Sequence, residues 1–180
     1  MQIKVLSFGE DLGEVYLCAM SITLRPIQPS DNIALAKIIR ASLEEFDVPK
    51  QGTVYSDPTT DALFELFSGA PGSCYFIAEE DGVLLGGCGV YPTEGLPTGY
   101  AELVKLYLTA ESRGKGIGKM LMNKCFEAAA NLGYTHLYLE SFPQLANAIS
   151  LYHKIGFKSI DHALGNSGHF SCNVWMVKEL

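Results

Sequence analysis

The sequence predicts a single mixed α/β domain, and three observations carry that prediction. The 180 residues are 48% hydrophobic and 18% charged, enough to bury one good core and too little for two ordinary domains. The spacing of apolar residues changes from a helical period to strand-like runs at Cys74. From Tyr100 to Glu140 the chain reads strand, glycine loop, helix, strand, the order of a parallel crossover.

Taken in order, residues 1–20 read as an N-terminal extension, with Met20 as a natural alternative start, and residues 21–180 as the domain. Lys4, Glu10, Asp11 and Glu14 interrupt the apolar residues of the extension, so it is neither a secretory signal nor a membrane span. Ile22 to Ile27 is a first strand. Pro29-Ser30-Asp31 supplies a turn and an N-cap, and Ile33, Leu35, Ala36, Ile38, Ile39 and Leu43 recur at helical spacing up to Phe46. Pro49, Gly52 and Pro58 mark a loop before a short helix from Asp61 to Phe67. Cys74 to Ala78 and Val83 to Val90 form a hairpin around Glu80-Asp81-Gly82. Tyr100 to Leu108 reads as a central strand. Ile117, Leu121, Met122, Cys125, Phe126 and Ala129 define the next helix, ended by Gly133, and Thr135 to Glu140 the next strand. A helix from Gln144 to Ile155 and strands near Phe157 to Ile160 and Cys172 to Lys178 complete the domain.

Composition narrows the function. A net charge of -7 argues against a nucleic-acid binder, which needs a surplus of Lys and Arg on one face. The five cysteines are scattered and never form a C-x-x-C pair, so they read as reduced thiols of a cytoplasmic protein, and no metal site is expected.

Gly114, Gly116 and Gly118 lie between a strand and a helix, where bare backbone N–H groups meet an anion at the helix N-terminus. Arg113, Lys115 and Lys119 add local positive charge, which suits a polyanionic cofactor. The loop is not a P-loop, because Arg113 and Met120 stand where glycine and Ser or Thr are required. A dinucleotide fingerprint starting at Gly114 would need glycine at Lys119, although Glu140 stands close to the distance of its acidic residue.

Arg113-Gly114-Lys115-Gly116-Ile117-Gly118 resembles the Gln/Arg-x-x-Gly-x-Gly/Ala signature of the GNAT superfamily of N-acetyltransferases, and Leu151 to Phe157 resembles its downstream L-Y-x-x-x-G-F segment. The resemblance spans residues 22–178. It implies a splayed, mostly antiparallel sheet flanked by helices, with acetyl-CoA as donor and an amine as acceptor. The backbone of Leu106 and Leu108 would pair with the pantetheine arm, one of their N–H groups facing the thioester carbonyl. Amides from Arg113 to Gly118, with Lys119, would hold the pyrophosphate.

The same resemblance makes Glu102 the general base, directly or through water, and Tyr152 the residue that protonates the leaving thiolate or holds its sulfur. Glu102 otherwise reads as a partner of Lys105 or a solvent-facing carboxylate; Glu140 is the runner-up base, and His169 a residue of the acceptor loop. Many relatives carry Asn seven residues before the tyrosine. Leu145 stands there, and Asn147, two residues later, either replaces it or faces solvent. The acceptor is expected between residues 44–55 and 163–171, as a small-molecule or protein amine, with a homodimer through the last strands. A non-catalytic acetyl-CoA sensor is the alternative.

Overall fold

The computed structural model describes residues 22–180; the extension 1–20 lies outside the described residues. Among the described residues, seven strands form one sheet: β1 (Thr23–Pro26), β2 (Cys74–Glu80), β3 (Val83–Tyr91), β4 (Tyr100–Leu108), β5 (His136–Ser141), β6 (Lys158–Ile160) and β7 (Val174–Glu179). Four α-helices among the same residues accompany it: α1 (Asn32–Glu45), α2 (Leu63–Gly69), α3 (Ile117–Asn131) and α4 (Ala146–Lys154). The strand order is β1-β2-β3-β4-β5-β7-β6, antiparallel except for the β4–β5 pair.

Strand alternation sends side chains to two cores, one on each face of the sheet. Tyr75 and Ile77 of β2 pack with Leu35, Ile39, Leu43, Leu63 and Phe67 under α1 and α2. Phe76 and Ala78 pack with Leu121, Met122, Cys125 and Phe157 under α3. Asp81 and Gly82 both take positive φ, the requirement of the tight hairpin turn expected between β2 and β3.

Two local expectations shift. Asp31 does not cap α1 with its side chain; its carboxylate instead takes two hydrogen bonds from Arg25, at 2.7 and 2.9 Å, and one from the Gln28 amide. The second helix starts two residues late, because a 3₁₀ turn over Pro58–Asp61, capped by Asp57 on the Thr59 amide, comes first.

Two features of β4 position the site. It pairs with β5 only at Tyr100↔His136, Ala101↔Leu137 and Glu102↔Tyr138. Beyond Glu102 the strands part, since β5 stays with β7 along its whole length while β4 stays with β3. Opposite β3 the register also slips: Gly87 faces Tyr107 and Gly89 faces Val104, so Lys105 and Leu106 share a bulge across from Cys88. Lys105 has φ +52°, a left-handed conformation that costs a residue with a side chain roughly 1–2 kcal/mol.

Candidate active site

The opening between β4 and β5 is a cleft of about 1430 Å³. It lies at the C-terminal ends of the two parallel strands, where ligands commonly settle in sheets with parallel connections. One end is formed by β4, the glycine loop and the first turns of α3 and α4; the other by the loops around residues 51–59, 91–94 and 166–172.

At the first end, Gly114 and Gly116 have φ +75° and +81°, a backbone that glycine adopts without penalty. Gly116 caps α3, and the first helical bond in this region runs from the Met120 amide to the Gly116 carbonyl. The amides of Gly114 to Lys119 therefore make no hydrogen bond among the described residues, and they gather at the positive end of a 15-residue helix. A Cβ on Gly118 would stand 3.6 Å from Leu108 and 3.9 Å from Leu151, an ordinary contact. The protein itself thus does not need glycine there; room beside the free amides does. The walls add Leu106, Leu108 and Leu151, with Lys119 and Lys154 as cations. Free amides, apolar walls and nearby cations fit a phosphate-bearing group with a thin, partly apolar arm.

Arg113 takes part differently from its neighbours. Its amide donates to the Ala110 carbonyl at 3.3 Å. Its guanidinium donates to Glu45 at 2.6 Å, to Ser42 at 3.2 Å and to the Leu108 carbonyl, and it stacks on Phe46 with 5.0 Å to the ring centre. This clamps the glycine loop and the end of β4 to α1. Lys115 is exposed and does not line the cleft, whereas Ile117 is buried and lines it. Asn147 lines it from the first turn of α4, with Leu145 packed partly into the α1 core.

At the other end, Glu102 is only 4% exposed. Its Oε2 accepts from Thr93 Oγ1 at 2.5 Å. Burial pushes its carboxyl up to about 7; the Thr93 bond opposes that rise, the charge of Glu140 adds to it, and His169 and Lys105 oppose it. Lys105 is not its partner. That ammonium pairs with Asp57 at 3.3 Å, and Asp57 also faces His169 Nε2 at 3.5 Å. Glu140 accepts from Tyr138 at 2.7 Å and from Ser167 at 2.8 Å, so both its oxygens are engaged.

Tyr152 is 8% exposed and lines the cleft, and its hydroxyl makes no hydrogen bond among the described residues. Burial holds its pKa above the usual phenol value, so it keeps its proton at neutral pH. Leu106, Leu108, Glu102 and Tyr152 therefore share one cavity wall system. Asp57 and Thr93 lay beyond sequence reasoning: each sits in a loop with no motif, and only the tertiary fold carries it to β4. The acidic residues near the first helix end have structural partners, Glu44 with Lys50 and Glu45 with Arg113.

An open sheet parted beside a cradle of free amides defines the acyl-coenzyme A-dependent class of acyltransferases. The chain belongs to the acetyltransferase (GNAT) family, whose model matches residues 38–157. It is 36% identical to an uncharacterized N-acetyltransferase, YjgM, of Escherichia coli K12, over 91% of this chain and 98% of that protein. Its fold is similar to a GNAT-family acetyltransferase from Staphylococcus aureus, with TM-score 0.75 and 17% identity over 89% of this chain and 99% of that one. A phosphinothricin acetyltransferase from Sinorhizobium meliloti, solved with AcCoA, gives TM-score 0.70 and 21% identity over 89% of each chain. The protein is an acetyl-CoA-dependent N-acetyltransferase, and nothing favours a non-catalytic sensor.

Proposed function

We propose that Glu102 takes a proton from the acceptor amine, directly or through a water, and that Tyr152 supplies one to the departing sulfur. The observation that carries this reading is a carboxyl buried in the cleft wall and pushed up to about 7, close to the value a general base needs at neutral pH. Alkyl amines are mostly protonated there, with a pKa of roughly 10, so a base is required before the nitrogen can attack.

Acetyl-CoA supplies the activated acetyl group and leaves as the thiol. The amides of Gly114, Lys115, Gly116, Ile117, Gly118 and Lys119 would bind its pyrophosphate, with Arg113 holding the loop against α1. The backbone of Leu106 and Leu108 would line its arm, the Leu106 amide serving as donor to the developing oxyanion. Such a donor is typically worth about 3 kcal/mol. Asn147 would bind the arm from α4.

We take the acceptor to be a primary amine of a small molecule or protein, entering between the loops that carry Asp57, Thr93 and His169. The acidic groups around that end, Asp57, Glu94, Glu102 and Glu140, support an amine and oppose a nucleic acid. No helix among the described residues is long and apolar enough to cross a membrane. The free thiols of Cys74, Cys88, Cys125 and Cys172 support a reducing compartment such as the cytoplasm. A second copy would dock on the last strands, where β6 is the sheet edge.

The test is thiol release from acetyl-CoA against a panel of amines, across pH. Wild type is expected to show an acid limb near pH 7 in kcat/KM, activity rising as Glu102 loses its proton. Glu102→Gln is expected to lose roughly 10²–10⁴-fold in rate and to lose that limb. An unchanged limb in Glu102→Gln would assign the base elsewhere.

A further inference from the structure

The least expected backbone in the domain is at Lys105, and two separate groups, from β2 and from the 51–59 loop, converge on it. Its left-handed φ of +52° sits inside the β4 bulge, immediately before Leu106. Its side chain is 5% exposed, and its ammonium is held by Asp57 at 3.3 Å. Its carbonyl accepts from the Tyr75 hydroxyl at 2.9 Å. Tyr75 crosses β3 over Gly87 and Gly89, where a Cβ would come within 2.4 and 2.5 Å of the Tyr75 ring. The glycines of β3 thus leave room for the Tyr75 side chain of β2 to reach this residue.

Asp57 is itself rigidly set. The Thr59 amide and hydroxyl donate to it at 2.9 and 2.8 Å, and His169 approaches from the acceptor loop. Burial works against its charge, but the approach of His169 Nε2, the Lys105 charge and the Thr59 donors outweigh that and hold its carboxyl well below the usual range. Burial weakens the charge on Lys105, and Asp57 and Glu102 work to restore it. A buried pair of this kind need not add net stability, since desolvation offsets attraction. What the pair can supply is geometry.

That geometry falls on Leu106. The bulge leaves Leu106 without a β3 residue directly opposite, and β5 has already parted from β4. We propose that Asp57 is a positioning residue for acetyl transfer: through Lys105 it holds the β4 bulge so that the Leu106 amide faces the acetyl carbonyl, and through His169 it joins that strand to the acceptor loop. The proposal rests on Leu106 being the oxyanion donor. The same carboxylate thus ties the donor half of the cleft to the acceptor half.

The test uses amide proton–nitrogen NMR spectra of the full chain with acetyl-CoA and, separately, with coenzyme A, which lacks the carbonyl. In wild type the Leu106 proton is expected to move further downfield with acetyl-CoA than with coenzyme A. Asp57→Asn and Lys105→Met are each expected to cut that difference by at least about half while Gly114–Lys119 shifts persist, with kcat falling on the order of tenfold and KM for acetyl-CoA within about twofold. The double variant Asp57→Asn/Lys105→Met removes both charges of the pair and keeps a side-chain acceptor for the Thr59 amide, so it should fold; it is expected to lose no more kcat than either single variant. A Leu106 difference that survives in the variants, or kcat losses that add, overturns the proposal. Wild-type loop shifts without a Leu106 difference also overturn it, whereas no loop shifts at all would remove the donor-site reading beneath it.

Discussion

Glu102 combines 4% exposure, one hydroxyl donor and a carboxylate neighbour, and the same environment that raises its pKa makes its charge costly. Its folded pKa of about 7 lies above the ordinary carboxyl value of 4.5, so the folded protein holds the extra proton between those values. Stability is accordingly greatest below the unfolded pKa and falls as pH rises toward 7, by up to about 3 kcal/mol. Glu102→Gln removes the charge and keeps an acceptor for Thr93. It is expected to melt above wild type at pH 8 and close to it at pH 5, the gain accompanying lost turnover; lower stability than wild type at pH 8 would show the ionised carboxylate to be well solvated. Asp57 acts in the opposite sense. Its depressed pKa contributes stability above the unfolded value and loses it as pH falls further. For Tyr152→Phe, the hydroxyl has no partner to orphan among the described residues, so the fold should hold. Its kcat is expected to fall roughly 10–100-fold with acetyl-CoA affinity unchanged. Equal kcat in a stopped-flow chemical step would leave the leaving thiolate without this donor.

At the scale of elements, α3 presents its N-terminus to the cleft because β4 ends in a glycine loop and Arg113 fastens that loop to α1. Gly118 separates folding from binding. Alanine there meets Leu108 and Leu151 at ordinary contact distances and raises helix propensity, by ~1 kcal/mol in an unstrained helix position. Gly118→Ala is therefore expected to unfold at equal or higher denaturant concentration than wild type. Its methyl group would crowd the free amides, and calorimetric titration should find acetyl-CoA binding weakened by tenfold or more. Unweakened binding would move the pyrophosphate away from this turn. Weakened binding with retained stability would assign this glycine, poor for helices, to the approach of a ligand to its backbone.

For the whole molecule, the cleft is a seam between two continuously paired parts of one sheet. β1–β4 and β5–β7 are each continuously paired, and three residue pairs join them. A ligand filling the seam bridges both parts and stabilises only the folded chain. At about 100 times its dissociation constant, acetyl-CoA or coenzyme A should add ~2.7 kcal/mol, raising Tm by roughly 5–10 °C for a domain of this size. Differential scanning calorimetry checks this. The glycine-loop variant Gly116→Glu, with a carboxylate among the amides, should show no such rise; an equal rise would place the ligand outside the loop.

The sequence by itself determined the elements and their class. Apolar periodicity located the helices and the β2–β3 hairpin, because burial on one face imposes a repeat that can be read locally. Residues 113–118 and 151–157 carried the family, since free amides and glycine conformation depend on a few adjacent residues. Tertiary structure alone decided how the groups meet. Whether Glu102 pairs with Lys105 depended on Asp57, 48 residues before Lys105, and on Thr93 across a loop. The bulge at Lys105 carries no local mark, because lysine has no preference for a left-handed backbone; it exists where Tyr75, Asp57 and the β3 register all act on one residue. Contacts between distant segments have no period, so only the folded chain reveals that Glu102 is buried against Thr93 while Asp57 is held by Thr59 and Lys105.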